Sequence, residues 1–334
     1  MLLRDCVCVR RFRERVLATL WPAIASSVSM MSSARPALAR ATLVRLRDAI
    51  TRVVVALLCV GIPFVLSNIA VKWFPQGADM ASLRNAFKTV VLIAAYLGYV
   101  RWVEKRSPFE LSWAGALKET GVGFLIGASV IGVSVTVLAS LDAYHLDGIN
   151  LEATWIRYLA GFLAVAILEE LIFRVLLFRL VEKSLGSVLA MVLSTAVFGL
   201  AHLFNPNASW IATVSLALSS VVLVAGFLLT RRLWLCMGLH WSWNLSQALC
   251  SLPVSGSETK GLLAGHTSGP AWLAGGDFGI EASLVTLVLS VITASTLLYL
   301  AGRRGRFMSP YCGTPTYPAA SDSLPMTNVR SSAK

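Results

Sequence analysis

The sequence predicts an all-α polytopic membrane protein, with about eight transmembrane helices around an intramembrane polar site. Three observations carry this reading. Hydrophobic residues make up 56% of the 334 and charged residues only 14%, against about a quarter charged in soluble domains. Mean hydropathy is +0.71. The apolar residues fall into uncharged runs close to the ~20 residues that a bilayer core requires. This composition excludes a soluble enzyme, a secreted disulfide scaffold, a disordered protein and a coiled coil.

Residues 1–50 read as a basic, disordered N-terminal extension. Residues 1–52 hold ten Arg against Asp5, Glu14 and Asp48, so +7 of the formal +12 sits there. Such a block is a topology and lipid-surface signal rather than a nucleic-acid groove, and no nucleic-acid partner is expected. RRFRER followed by VLATLWPAIA has the outline of a signal peptide, but Pro22 interrupts a short apolar part, and an unstructured extension is favoured.

The bundle is assigned to 51–302, with spans at 53–71, 86–103, 120–141, 157–179, 185–205, 210–230, 233–251 and 282–302. The first is an uncharged run. The second is the weakest, because Lys88 and Arg101 crowd it. The third and eighth contain no Asp, Glu, Lys or Arg. The fourth carries ILEELIFR. The fifth and sixth lie within 184–230, which is free of those four residue types, and the seventh carries HWSWN. Residues 303–334 are Pro-, Ser- and Thr-rich and read as a disordered tail. Trp73, Trp102, Trp155, Trp210 and Trp234 fall near span ends as interfacial anchors, and GFLIG at 123–127 provides a close helix approach within the monomer. The six Cys are scattered, with no CxxC pair, which points away from a disulfide framework or cysteine zinc site.

Loop charge orients the bundle. With the Arg-rich N-terminus inside, the inner connections hold Arg101, Lys105, Arg106 and Lys118, then Arg179 and Lys183, Arg231 and Arg232, and Arg303, Arg304 and Arg306. The outer connections 142–156 and 205–209 hold no Lys or Arg, 252–281 holds only Lys260, and the first outer loop holds Lys72 and Arg84. Both termini are thus expected in the cytoplasm of a multi-pass integral protein, in the inner membrane if the source is bacterial.

An ionisable side chain in hydrocarbon costs at least about 2.5 to 3.5 kcal/mol, so Glu169, Glu170 and Arg174 in one apolar helix need a compensating reason. Glu170 and Arg174 are spaced i, i+4 and can form an ion pair on one face, which a purely structural role explains. Glu169 is turned about 100° away and has no helical partner, which favours a functional role. His202 closes FGLAH, and His240 opens HWSWN one turn before Asn244. A carboxylate, two imidazoles and a carboxamide from three helices make either a metal site or a general-base site. Desolvation makes a carboxylate a stronger base, suited to accepting a proton from water. Neutral imidazoles hold water or ligate zinc, and an Asn amide donates to an oxyanion. Neither GxSxG nor HExxH is present.

EELIFR at 169–174, FGLAH at 198–202 and HWSWN at 240–244 resemble, in order, the EExxxR, FxxxH and HxxxN motifs of the CPBP intramembrane proteases, the Rce1-like family of CAAX prenyl proteases. GGDFGIEAS at 275–283 resembles the stretch before the last helix in some bacterial members. The resemblance covers mainly 157–250 and makes that segment the protease core. It implies an intramembrane endopeptidase acting on a membrane-associated or prenylated-type peptide or protein in the bilayer. Glu169 would activate water, Glu170 and Arg174 would support it, His202 and His240 would be the motif histidines, and Asn244 would stabilise the oxyanion. The family is described both as metal-dependent and as working through glutamate and histidine alone. A divalent metal such as zinc, if bound, would take Glu169, His202 and His240. A non-catalytic protein of the same fold, serving bacteriocin self-immunity or partner binding, is the alternative. A proton-coupled transporter is disfavoured, because no paired halves are visible.

Overall fold

The computed structural model describes residues 43–75, 78–151 and 156–309. The expected disorder of 1–42 and 310–334, the signal-peptide outline and Trp155 lie outside the described residues. The chain divides into two compact units, Met1–Asp48 and Ala49–Lys334. Of the first, 43–48 is described and is helical.

The helices are α1 (Leu43–Trp73), α2 (Ala78–Gly98, continued by the π-helical turn Tyr99–Val103), α3 (Ala116–Ser140) and α4 (Ile156–Glu170). The π-helix Leu171–Phe178 and α5 (Arg179–Leu185) extend α4 without a break. Then come α6 (Ser187–Ala201), α7 (Trp210–Ser219), α8 (Val221–Thr230), α9 (Leu233–Leu249) and α10 (Leu284–Arg303). Among the described residues, six helices are long and apolar enough to cross a membrane: Leu43–Trp73, Leu83–Val103, Ala116–Ser140, Ser187–Phe204, Trp210–Thr230 and Leu284–Arg303. The molecule is a multi-pass helical membrane protein.

Eight spans are expected, and the two beyond these six are helical as well and carry EELIFR and HWSWN. The helix at 157–179 holds too many ionisable groups, and Leu233–Leu249 is 17 residues long.

Other details differ from expectation. The first helix is already formed at Leu43, inside the segment read as an extension. Two outer connections read as loops contain strands β1 (Tyr144–Ile149) and β2 (Leu263–Thr267), paired antiparallel with His145 opposite His266. The tail read as disordered is docked at its start: Ser187 N donates to Met308 O at 3.0 Å, and Met308 N donates to Ser187 Oγ at 2.8 Å. Trp73, Trp102 and Trp210 are exposed at helix ends, but Trp234 stacks on Trp113 at 4.9 Å and donates Nε1–H to Ser112 O. Trp234 is thus half-buried at the start of its helix, against an exposed Trp113. Cys59, Cys236 and Cys250 are free thiols.

The connections segregate to two faces. On the basic face, Glu104 meets Arg106, Arg179 and Lys183, and Glu110 meets Arg106, Arg179 and Tyr96. Burial alone would raise the Glu104 carboxyl, but the Arg179 hydrogen bond and charge, with Lys183 and Arg106, hold it down at about 2. Arg231 pairs with Glu182, and Arg232 with Glu119. The opposite face carries the β-sheet and the Asn205 Nδ2–Ser255 O bond at 3.0 Å.

Glycines fix the position of α9. A Cβ on Gly123 would stand 2.1 Å from Leu235 O, one on Gly127 2.3 Å from Leu239 O, and one on Gly238 2.3 Å from Thr120 O. Backbones this close exclude any side chain, so the GFLIG stripe packs α3 against α9 within the monomer. Gly127→Val is therefore expected to cost roughly 1 to 3 kcal/mol through overpacking and to lower the melting temperature in detergent. A variant melting like wild type would mean that α9 slides freely against α3.

Candidate active site

The site is built from three elements, α4, the end of α6 and α9. Glu169 and Glu170 close the α-helical part of α4, and the backbone widens into π-helix at the next residue, Leu171. Such π-helical stretches occur often at functional sites. His202 follows the last residue of α6 and begins a 3-10 turn. His240 and Asn244 share one face of α9, a turn apart.

Glu170 and Arg174 are fully buried. Arg174 Nη1 donates to Glu170 Oε1 at 3.0 Å, the pair that the i, i+4 spacing predicted. The same oxygen receives His240 Nδ1 at 2.8 Å, so Glu170 also fixes the imidazole of another helix. Arg174 Nη2 donates to Ser220 O at 3.3 Å, and its guanidinium lies 4.4 Å from the centroid of the Phe198 ring. Phe198 in turn lies 4.5 Å from the His202 ring and 6.2 Å from the His240 ring. It is the wall that spaces Arg174 from both imidazoles, a contribution that sequence reasoning did not assign.

The hydrogen bonds fix the imidazole tautomers. His202 Nδ1 lies 2.8 Å from Phe198 O, which only accepts, so Nδ1 carries the proton. His240 Nδ1 faces a carboxylate held by Arg174 and likewise donates. In neutral rings both Nε2 atoms are then acceptors. Both stand 3.8 Å from Glu169 Oε2, an oxygen that is buried without a hydrogen-bond partner. Three acceptors therefore converge with no donor between them.

These groups line a cavity of about 370 Å³. Asn244 lies on its wall. So does Glu281, which sequence reasoning missed as a residue, although its surrounding GGDFGIEAS had been singled out. Buried Glu281 accepts from Trp243 Nε1 at 2.9 Å, Gln247 Nε2 at 3.1 Å, and Ser255 N and Oγ at 2.8 Å each. It ties α9 to the loop at the cavity mouth. All six sequence-predicted residues thus belong to one cluster. Glu169, His202, His240 and Asn244 face the cavity, and Glu170 and Arg174 lie behind it.

A divalent metal, if bound, would be held by Glu169, His202 and His240, whose acceptor atoms converge. Tetrahedral ligands about 2.0 to 2.2 Å from zinc stand roughly 3.3 to 3.6 Å apart, a few tenths of an ångström less than the 3.8 Å between Glu169 Oε2 and each imidazole Nε2. Among the described residues, no three His, Cys, Asp or Glu side chains are arranged to hold a metal ion.

A multi-pass helical bundle with a buried carboxylate–imidazole site defines the class of this molecule. Residues 151–246 match the family model of the type II CAAX prenyl endopeptidase Rce1-like proteins, in agreement with the three motifs. The match spans the site helices α4 to α9. No curated protein and no solved structure matches the chain.

Proposed function

We propose that the protein is an intramembrane endopeptidase that hydrolyses a peptide bond of a membrane-associated or lipidated substrate with water activated by Glu169. The observation that carries this is the convergence of Glu169 Oε2 and two imidazole Nε2 atoms at 3.8 Å, all acceptors. A water between Glu169 and His202 would donate one hydrogen to each. Glu169 takes the proton as the water oxygen bonds to the carbonyl carbon. The oxyanion then receives the Asn244 amide. Glu170, neutralised by Arg174, holds the His240 ring through Nδ1 while this happens. Glu169 passes its proton to the departing nitrogen as the C–N bond breaks. The family match over 151–246 supports the same reaction class.

The test compares membrane and secreted peptides from cells carrying wild type or Glu169→Ala at equal expression. At least one fragment is expected to vanish, its uncleaved precursor accumulating in the variant. Identical peptide sets would favour the non-catalytic reading of this fold.

A further inference from the structure

We infer that the cavity opens to the non-cytoplasmic face, and that its substrate is an exported or membrane-anchored peptide entering from that side as a neutral or basic segment. This rests on the proposed hydrolase reading only in calling the bound molecule a substrate.

Three observations point to the side of entry. The cavity runs from the middle of its helices, at Ser220, Leu239 and Glu169, to their outer ends. Tyr158 stands near the start of α4, His202 just beyond the end of α6, and Ser255 to Thr259 form the loop after α9. Glu169 follows Tyr158 by eleven residues, which places it roughly 16 Å deeper along the helix. The mouth is a fixed structure, with Lys260 N donating to Tyr158 Oη at 2.9 Å and Asn205 Nδ2 to Ser255 O. The opposite end is closed by the ion network of Glu104, Glu110, Arg106 and Arg179 and by the Arg231–Glu182 pair. Those Lys- and Arg-rich connections belong on the cytoplasmic side, so the mouth belongs on the other.

The chemistry of the wall points to the class of substrate. Among the described residues, Glu169, Glu258 and Glu281 line the cavity and no Lys or Arg does. Glu281 is satisfied entirely by uncharged donors. Lys260 and Arg157 are exposed near the mouth but are not part of its wall. A substrate that ends in a free carboxylate next to the scissile bond finds no Lys or Arg there, and the carboxylates of Glu169 and Glu281 repel it. A Lys or Arg side chain finds Glu258 at the mouth.

Thiol labelling tests both parts without requiring cleavage. Ser257→Cys, exposed at the mouth, and Lys118→Cys, exposed on the basic face, are made in the full chain and compared with the unsubstituted protein. Right-side-out membrane vesicles are treated with membrane-impermeant cationic and anionic methanethiosulfonates, their rates normalised to free cysteine. Ser257→Cys is expected to react in sealed vesicles, and Lys118→Cys only after permeabilisation. The cationic reagent should outpace the anionic one by roughly tenfold at Ser257→Cys, and Glu258→Gln should reduce that ratio severalfold. Labelling of Ser257→Cys only after permeabilisation overturns the side of entry. Equal rates for the two reagents overturn the charge preference. A wild-type chain that labels as expected but cleaves no peptide would instead remove the hydrolase reading and leave the opening in place.

Discussion

Glu169→Gln is expected to insert and melt like wild type, or slightly above it, while losing about 10² to 10⁴ in cleavage rate. The two halves of this expectation have one cause. Glu169 Oε2 is buried and unpartnered, and the nearest imidazole nitrogens are 3.8 Å away, beyond hydrogen-bond reach. Removing its charge strands no other group and relieves a desolvated carboxylate, so stability has nothing to lose. The reaction loses its base. Purified variant and wild type compared in one detergent, for melting temperature and for cleavage of a peptide that wild type processes, provide the check. Near-wild-type cleavage by well-folded Glu169→Gln would remove the water-activation mechanism.

Arg174→Ala is expected to behave in the opposite way, losing stability and activity together. Breaking a buried ion pair costs about 3 to 5 kcal/mol, because the remaining charge is left without a partner in low dielectric. The loss reaches further here than one pair. Arg174 also holds Ser220 O at the junction of α7 and α8 and packs on Phe198, and Glu170 freed of Arg174 would hold His240 alone. The double variant Glu170→Gln with Arg174→Met should recover much of the melting temperature, since neither charge remains. It should not recover cleavage, since His240 loses its carboxylate. Arg174→Ala melting like wild type would show that the pair is not structural and would direct attention to a contact between Arg174 and substrate.

The contrast between Glu169 and Glu170 shows what was legible in the sequence. Adjacent glutamates in an apolar helix cannot face the same way, and only Glu170 has a basic residue one turn on. That local geometry separated an ion-paired carboxylate from an unpaired one, and the structure keeps the distinction. The uncharged runs marked the helices for the same reason, since a bilayer imposes its length and polarity on each segment independently. Loop charge sorted the connections into two faces because Lys and Arg in short loops act one loop at a time.

What depends on two distant segments at once was decided by packing. His240 reaches Glu170 across 70 positions of chain, and nothing in HWSWN states which helix it will face. That is fixed by Gly123, Gly127 and Gly238, which let α9 approach α3 closely. Phe198 gains its place between Arg174 and two imidazoles only when α6 meets the π-helical stretch. The β1–β2 pair joins short loop segments more than a hundred residues apart, so neither one states its partner, and Glu281 enters the cavity wall only because the loop after α9 folds back over it. Local sequence was enough to show which residues are unusual in a membrane and which lie one turn apart. The tertiary structure decided which of them meet, because a contact between helices is set by the fit of whole surfaces rather than by the spacing of residues along one of them.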